Sequence, residues 1–416
     1  MVLLLLLQSN LNVYFSMSRL YFFSLLVTSF LISCKDAKTT YDDTYSLLKI
    51  DNARVDTASD ISSIVDTLGI LLIKEPEKNY MADIFKMSVS RNGNYFFYDL
   101  LTNKINAFDR NGQFIKTLSK AGEGPNDPLN IGDFWITDNN DIQVYDYAQM
   151  KIFNYDSMLN YKNSIKADQF NHFSAIQKIP HSKSYVGYAN LNMNNKPYKD
   201  HLYQIALLDD SLKVFHTDDH FDQQFSGVSL LTYALHFTRY KDTLRFYKAY
   251  DNHVYSVTNS GISKRYKILY HKQGLPDDIY PIIKRHLSEF KNRSKRILIK
   301  LPSYFDGYTR FNGCWYENDR LIHLSSFTHT SESGDVFFTI LDKQSNRILF
   351  NANKFIENNY YKLQLPPFQY LDSYSNELIG IVNGKDLKNM LFQDSEFQSF
   401  VINDPNLIYL IKVKLK

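Results

Sequence analysis

GEGPNDPLNIGDFWITDNNDIQVYDYAQMKIFNY, residues 122–155, holds a complete β-motif, and the segment before it nearly repeats it. Tyr98 and Tyr145, Asp99 and Asp146, Lys104 and Lys151, Ile105 and Ile152, and Asp109 and Asp156 each stand 47 positions apart, without a gap. A fixed period of this size, made of short strands, is the mark of a propeller blade. The turns agree with that reading. Asn92-Gly93, Thr102-Asn103 and Asn111-Gly112 separate apolar runs in the first unit, which is a hairpin signal. In the second unit Asp138–Asp141 and Ala148-Gln149 take the corresponding places. Strand 142–146 alternates, with Ile142, Val144 and Asp146 on one face and Gln143 and Tyr145 on the other.

Further units follow. Ser184–Leu191 and Tyr203–Leu208 read as strands of a third. Leu244–Ile268 aligns with Tyr95 onward at a constant offset of 149, placing Tyr247 on Tyr98 and Gly261 on Gly112. A fifth unit spans Cys314–Phe350, and a sixth combines Glu377–Val382 with Leu407–Val413. Between the fourth and fifth, Asp277-Asp278 can start a helix carrying Ile279, Ile282, Ile283, Leu287 and Phe290 at helical spacing. The expectation is an all-β, six-bladed β-propeller over residues 61–416, with one helical insertion at about 275–300 between blades 4 and 5. A lone strand within Ile61–Ile73 would be a sticky edge. Pairing it into the last blade would close the ring.

Composition fits this architecture. The 416 residues include 31 Tyr and 30 Phe, which pack well on pleated surfaces. A net charge of +3 supplies no strong field for nucleic acid, which is not expected as a partner.

The N-terminus differs. Residues 1–33 contain one charge, Arg19, and two apolar blocks, Val2–Leu7 and Leu20–Ile32. Read from Met17 as the true start, they form a signal peptide, with an apolar run too short to span a membrane comfortably. Leu31-Ile32-Ser33-Cys34 resembles a bacterial lipobox. That resemblance implies cleavage before Cys34 and its lipidation, which makes the membrane a partner. Lys35-Asp36 resembles the signal that sends Bacteroidetes lipoproteins to the cell surface, though Ala37 stands where a second acid is usual. The expected place is the outer membrane, surface-exposed or on its periplasmic face. Polar residues 34–60 read as a flexible tether. Cys314, the other cysteine, lies among Phe311, Trp315 and Tyr316 and reads as buried filler.

The 122–155 stretch, together with SSIVDTLGILLIKE (62–75), NGQFIKTL (111–118) and NLIYLIKVKLK (406–416), resembles the six-bladed β-propeller lipoproteins of Bacteroidetes, with NHL/TolB-like repeats. That family carries a Gly-x-Gly-Pro-Gly-Glu-aromatic loop. Gly122, Glu123, Gly124 and Pro125 match it, while Asn126 and Asp127 depart from it. The resemblance implies a fold, and one fold hosts many activities.

The candidate site residues are few. Gly122-Glu123-Gly124 lacks a P-loop ending and precedes a strand, so its glycines read as turn formers. Asp99 and Asp146 read as acceptors for turn amides. Asp133 and Trp135 begin the second inner strand, near the channel, and Trp135, Tyr147 and Tyr188 could stack on a sugar or peptide. The eleven histidines show no metal spacing, and no Gly-x-Ser-x-Gly elbow appears. No metal or cofactor is expected. The reading is a lipid-anchored, non-catalytic binding or scaffolding module for a glycan, peptide or partner protein. The alternative is a metal-assisted hydrolase or lyase sited in the central channel.

Overall fold

The computed structural model describes residues 45–76, 80–119, 124, 126–167, 172–191, 197–222, 225, 236–289, 305–330, 334–400 and 406–416. Residues 46–416 form one unit, an all-β propeller with few helices. Among the described residues its strands make seven sheets, which corrects the expected six. Blade 1 holds Ile84–Val89, Tyr95–Asp99, Lys104–Phe108 and Phe114–Leu118. Blade 2 holds Ile131–Ile136, Ile142–Asp146, Lys151–Tyr155 and Tyr161–Lys166. Blade 3 runs from Ala175–Lys178 to Val214–Phe221, and blade 4 from Phe237–Tyr240 to Gly261–Tyr270. Blade 5 runs from Thr309–Glu317 to Arg347–Ala352.

Blade 6 is the one the repeat did not reveal. It has three short strands, Ser59–Asp60, Phe355–Glu357 and Leu363–Leu365. Strands of two or three residues carry no readable alternation, and one of them arrives from far upstream to pair in parallel with Phe355-Ile356. Blade 7 holds Tyr370–Asp372, Glu377–Asn383, Ile408–Leu415 and, outermost, Val65–Ile73. Val65–Ile73 runs antiparallel to Ile408–Leu415 from Ile73↔Ile408 to Val65↔Leu415.

The segment read as a tether also differs. Residues 34–44 lie outside the described residues, but Ser46–Ile50 adds a fifth strand to blade 4, parallel to Tyr266–Tyr270. Leu48 and Ile50 are buried there. Two apolar side chains amid polar sequence were too weak a signal of burial.

A local logic repeats around the ring. Asp99 and Asp146 are fully buried. Asp99 accepts from the amides of Ala82, Asp83, Leu101 and Thr102, and Asp146 from those of Leu129, Asn130 and Gln149. At the last turn of blades 1, 2 and 3, Asp109, Asp156 and Asp209 each accept from two amides, two and four residues on. The tyrosine before the buried aspartate reaches the next blade. Tyr98 donates to the Ile131 carbonyl at 2.7 Å, and the Tyr145 hydroxyl accepts from the Phe173 amide at 3.5 Å. Gly112 has φ +74°, and a Cβ there would stand 2.1 Å from the Leu72 carbonyl oxygen, so this turn needs glycine.

The core lies between blades. Tyr98, Phe134 and Phe153 fill the seam of blades 1 and 2, while Trp135, Tyr185 and Tyr203 fill that of blades 2 and 3. Phe97, Tyr370 and Leu410 join blade 7 to blade 1. The short blade 6 shares one cluster with blades 5 and 7, through Phe355, Leu363 and Leu365. Helix α1, Tyr280–Glu289, stands between blades 4 and 5. Its first amide donates to Asp278, and Ile283 packs with Leu191, Phe225, Tyr250, Leu275 and Phe305.

Candidate binding cavity at one end of the channel

The inner strands of blades 1, 2, 3, 4 and 7 end at one face of the ring, where their last residues and the turns after them meet. A cavity of about 520 Å³ opens there. Its wall comes from the strand ends and turns of blades 1, 2, 3, 4 and 7, including Lys86, Trp135, Asp138, Lys178, His181, Arg239 and Tyr374.

One lining residue, Lys86, is held in an ion pair. Lys86 Nζ lies 2.6 Å from Asp133 Oδ1, and both side chains are largely buried. Asp133 also accepts from the Phe134 amide at 2.8 Å and the Ile176 amide at 2.9 Å. Asp133 therefore ties three inner strands together and has little left to offer a ligand. Trp135 is 2% exposed and donates to Gln143 at 2.9 Å. Its ring meets Tyr185 edge-on at 6.1 Å, so most of the indole is seam packing. Tyr188 is buried as well, and Tyr147 packs on His172.

The rim is charged. Arg239 Nη1 lies 2.5 Å from Asp138 Oδ1, while the His181 amide donates to Asp138 Oδ2 at 3.1 Å. Burial works against the Asp138 charge, but the Arg239 and His181 contacts outweigh it and hold the carboxyl below its usual range. His181 Nε2 lies 2.8 Å from Asp242. The Tyr374 ring carries the guanidiniums of Arg91 at 5.6 Å and Arg239 at 5.9 Å. Burial raises the Tyr374 pKa, with Arg239 opposing it, so the phenol stays neutral.

Of the candidate residues singled out in the sequence, Trp135 lines this cavity, and Asp133 reaches it only through Lys86. Gly124 lies before the inner strand of blade 2, hence on the other face, where its carbonyl accepts from the Asp127 amide at 3.3 Å. Gly122, Glu123, Pro125 and Cys34 lie outside the described residues. Lys86, Asp138, His181, Arg239 and Tyr374 were missed. One signal existed: Lys86 and Asp133 stand one 47-residue period apart, so equivalent positions of adjacent blades carry opposite charges.

Near α1 a second charged cluster forms. Lys248 Nζ lies 2.7 Å from Asp219 and 3.3 Å from Asp251, and Asp251 also holds His253 and Tyr255 at 2.7 Å each. Burial opposes the Lys248 charge, but the two carboxylates win and raise its pKa well above the usual value. Gln204 links Asp219 to Tyr280 of α1. Lys248 bridges the two carboxylates, and His253 and Tyr255 complete the contacts of Asp251, as in a structural network. Among the described residues, no group of three or more His, Cys, Asp or Glu is placed to hold a metal ion.

The family described as "Domain of unknown function (DUF4934)" matches residues 20–413. Among solved structures, the chain is similar to a protein of Bacteroides fragilis described as exported, at 14% identity and TM-score 0.66, covering 89% of this chain and 100% of that one. It is also similar to a DUF4221 family member from Bacteroides vulgatus, at 10% identity and TM-score 0.47, covering 85% and 98%. A virginiamycin B lyase from Staphylococcus aureus matches at 13% identity and TM-score 0.34, covering 68% and 87%. No curated protein is significantly similar to the chain. The first of these likenesses supports the fold; the other two are too distant to support more.

Proposed function

We propose that this chain, which belongs to the DUF4934 family, is an exported, lipid-anchored propeller that binds a polar ligand in its channel cavity. One observation carries the binding reading. Five blades converge on an open cavity of about 520 Å³ whose wall is polar and charged, with Arg239 and Tyr374 held at its rim. That volume lies in the range of small-ligand sites, roughly 300–1,000 Å³. The ligand reading is a glycan or a peptide segment, held without chemistry. The test is titration of the mature protein with envelope glycan fractions and peptide pools, followed by tryptophan fluorescence in a Trp315→Phe background, which leaves Trp135 as the reporter. Tyr374→Ala and Arg239→Ala are expected to weaken binding about tenfold or more. Unchanged affinity in both variants would remove the cavity from the reading.

Anchoring is supported by Leu31-Ile32-Ser33-Cys34 and by the exported character given to the Bacteroides fragilis protein. In a Bacteroidetes host, the wild type is expected to incorporate a fatty-acid label and to sediment with outer membranes. Cys34→Ala is expected to lose both properties. A Cys34→Ala protein that still carries label and still sediments would refute the anchor.

A further inference from the structure

We infer that the cavity takes an anionic saccharide; this rests on the binding reading above and specifies its ligand. The argument starts from charge matching. Asp133 is used by Lys86, Asp141 by Lys162 at 2.8 Å, and Asp138 by Arg239 and the His181 amide. Asp242 faces His181. Three cations remain without a carboxylate among the described residues. Lys178 has only the Tyr185 ring, 6.0 Å from its Nζ. The Arg91 guanidinium has only the Tyr374 ring. Lys183, exposed at the turn after blade 3's inner strand, has neither a carboxylate nor an aromatic ring against it. Lys178 and Lys183 line the cavity, and Arg91 stands against the lining Tyr374.

Lys86, Lys178, Lys183 and Arg239 outnumber Asp138 and Asp141 in the wall, so the cleft is net positive, and such a cleft concentrates ligands of the other sign. The rest of the wall points to a sugar. Most small-molecule pockets are predominantly apolar. This one adds the amides of Asn139 and Gln177 and the hydroxyls of Ser88, Ser182 and Ser373 to its charged groups. Short amides and hydroxyls suit a polyol, and the unmatched cations suit a carboxylate or sulfate on it. A guanidinium lying over a tyrosine ring, as Arg91 does on Tyr374, is suited to bidentate recognition of such a group.

The experiment titrates the mature full chain with four probes: a trigalacturonate, a sulfated heparin disaccharide, neutral maltotriose and a hexaglutamate peptide. At low salt either anionic saccharide is expected to bind about tenfold or more tighter than maltotriose. That preference should shrink as salt rises from about 20 to about 200 mM. Because the heparin disaccharide carries a uronate carboxylate as well as sulfate, binding of both anionic arms assigns the carboxylate, and binding of the heparin arm alone assigns the sulfate. Lys178→Glu with Lys183→Glu is expected to abolish the preference, and Lys178→Gln with Lys183→Gln to reduce it, with thermal midpoints unchanged. Equal binding of maltotriose would overturn the anionic class while leaving a binding cavity. Tighter binding of hexaglutamate would overturn the saccharide class. No binding by any probe, with Trp135 unresponsive, would count against the cavity itself.

Discussion

Replacing Glu317 with alanine is expected to cost about 3–5 kcal/mol of folding stability, the largest effect of any single change at a blade seam. Glu317 ends the inner strand of blade 5, and its side chain is fully buried. It accepts from Arg245 twice, at 2.7 and 3.2 Å, across the seam from blade 4. Lys343 Nζ lies 2.5 Å away, and the Tyr266 hydroxyl donates at 2.8 Å. Burial alone would raise the Glu317 pKa, but Arg245 and Lys343 outweigh it and hold it below the usual value. A depressed carboxyl contributes its stability above the ordinary carboxylate range and loses it as pH falls through the folded value. Alanine would strand two cations, one of them, Arg245, with a side chain only 6% exposed. Glutamine, which keeps some hydrogen bonds but no charge, should fall between. Urea unfolding at neutral pH measures both. A loss under about 1 kcal/mol for Glu317→Ala would mean that the cluster contributes no more than an exposed ion pair.

Mild acid should destabilise the ring by a separate route. His236 and His323 are buried, and burial pushes the pKa of each down to about 4. His236 is stabilised by its Nδ1 contact with the Tyr247 carbonyl at 2.9 Å. His323 has no such support. Its ring stands among Phe338, Phe355 and Phe368 at about 6 Å, and neither nitrogen has a hydrogen bond of normal geometry. The Thr339 backbone beside it only slightly opposes the shift. Each folded pKa is depressed, so between pH 6.5 and about 4 the unfolded chain binds a proton that the folded chain does not. Stability therefore falls as pH drops through that window, by about 1.4 kcal/mol per unit for each histidine. The total approaches about 3 kcal/mol for each histidine. His323→Phe should remove one share of the slope and add about 1–3 kcal/mol at neutral pH, because two buried unsatisfied nitrogens disappear. Measuring denaturation midpoints from pH 7 to pH 5 tests this. An unchanged slope in His323→Phe would show that its titration is not linked to folding.

Much of the fold was legible because hairpins are local. The 47-residue step, the Asn-Gly turns and the buried aspartates all act within one or two blades. Blade 6 was illegible for the opposite reason. Its strands are two or three residues long, and Ser59-Asp60 pairs with residues almost three hundred positions away. Ser46–Ile50 was misread for a related reason, since its partner strand begins some 220 positions later. At the candidate site, Asp133 and Trp135 were found because they share a strand with the repeat. Their function was not, because Asp133 is satisfied by Lys86 and two amides, and Trp135 by Gln143 and Tyr185.

By itself, then, the chain's order of residues determined that successive antiparallel sheets would form, because alternation and turn chemistry act over a few residues. Only the tertiary structure decided how many sheets share the ring and which charges meet in its channel. Arg239 finds Asp138 across 101 positions, and Tyr374 reaches the Thr137 carbonyl across 237. Contacts of that span arise from packing blades around an axis, and short-range pattern carries no information about them.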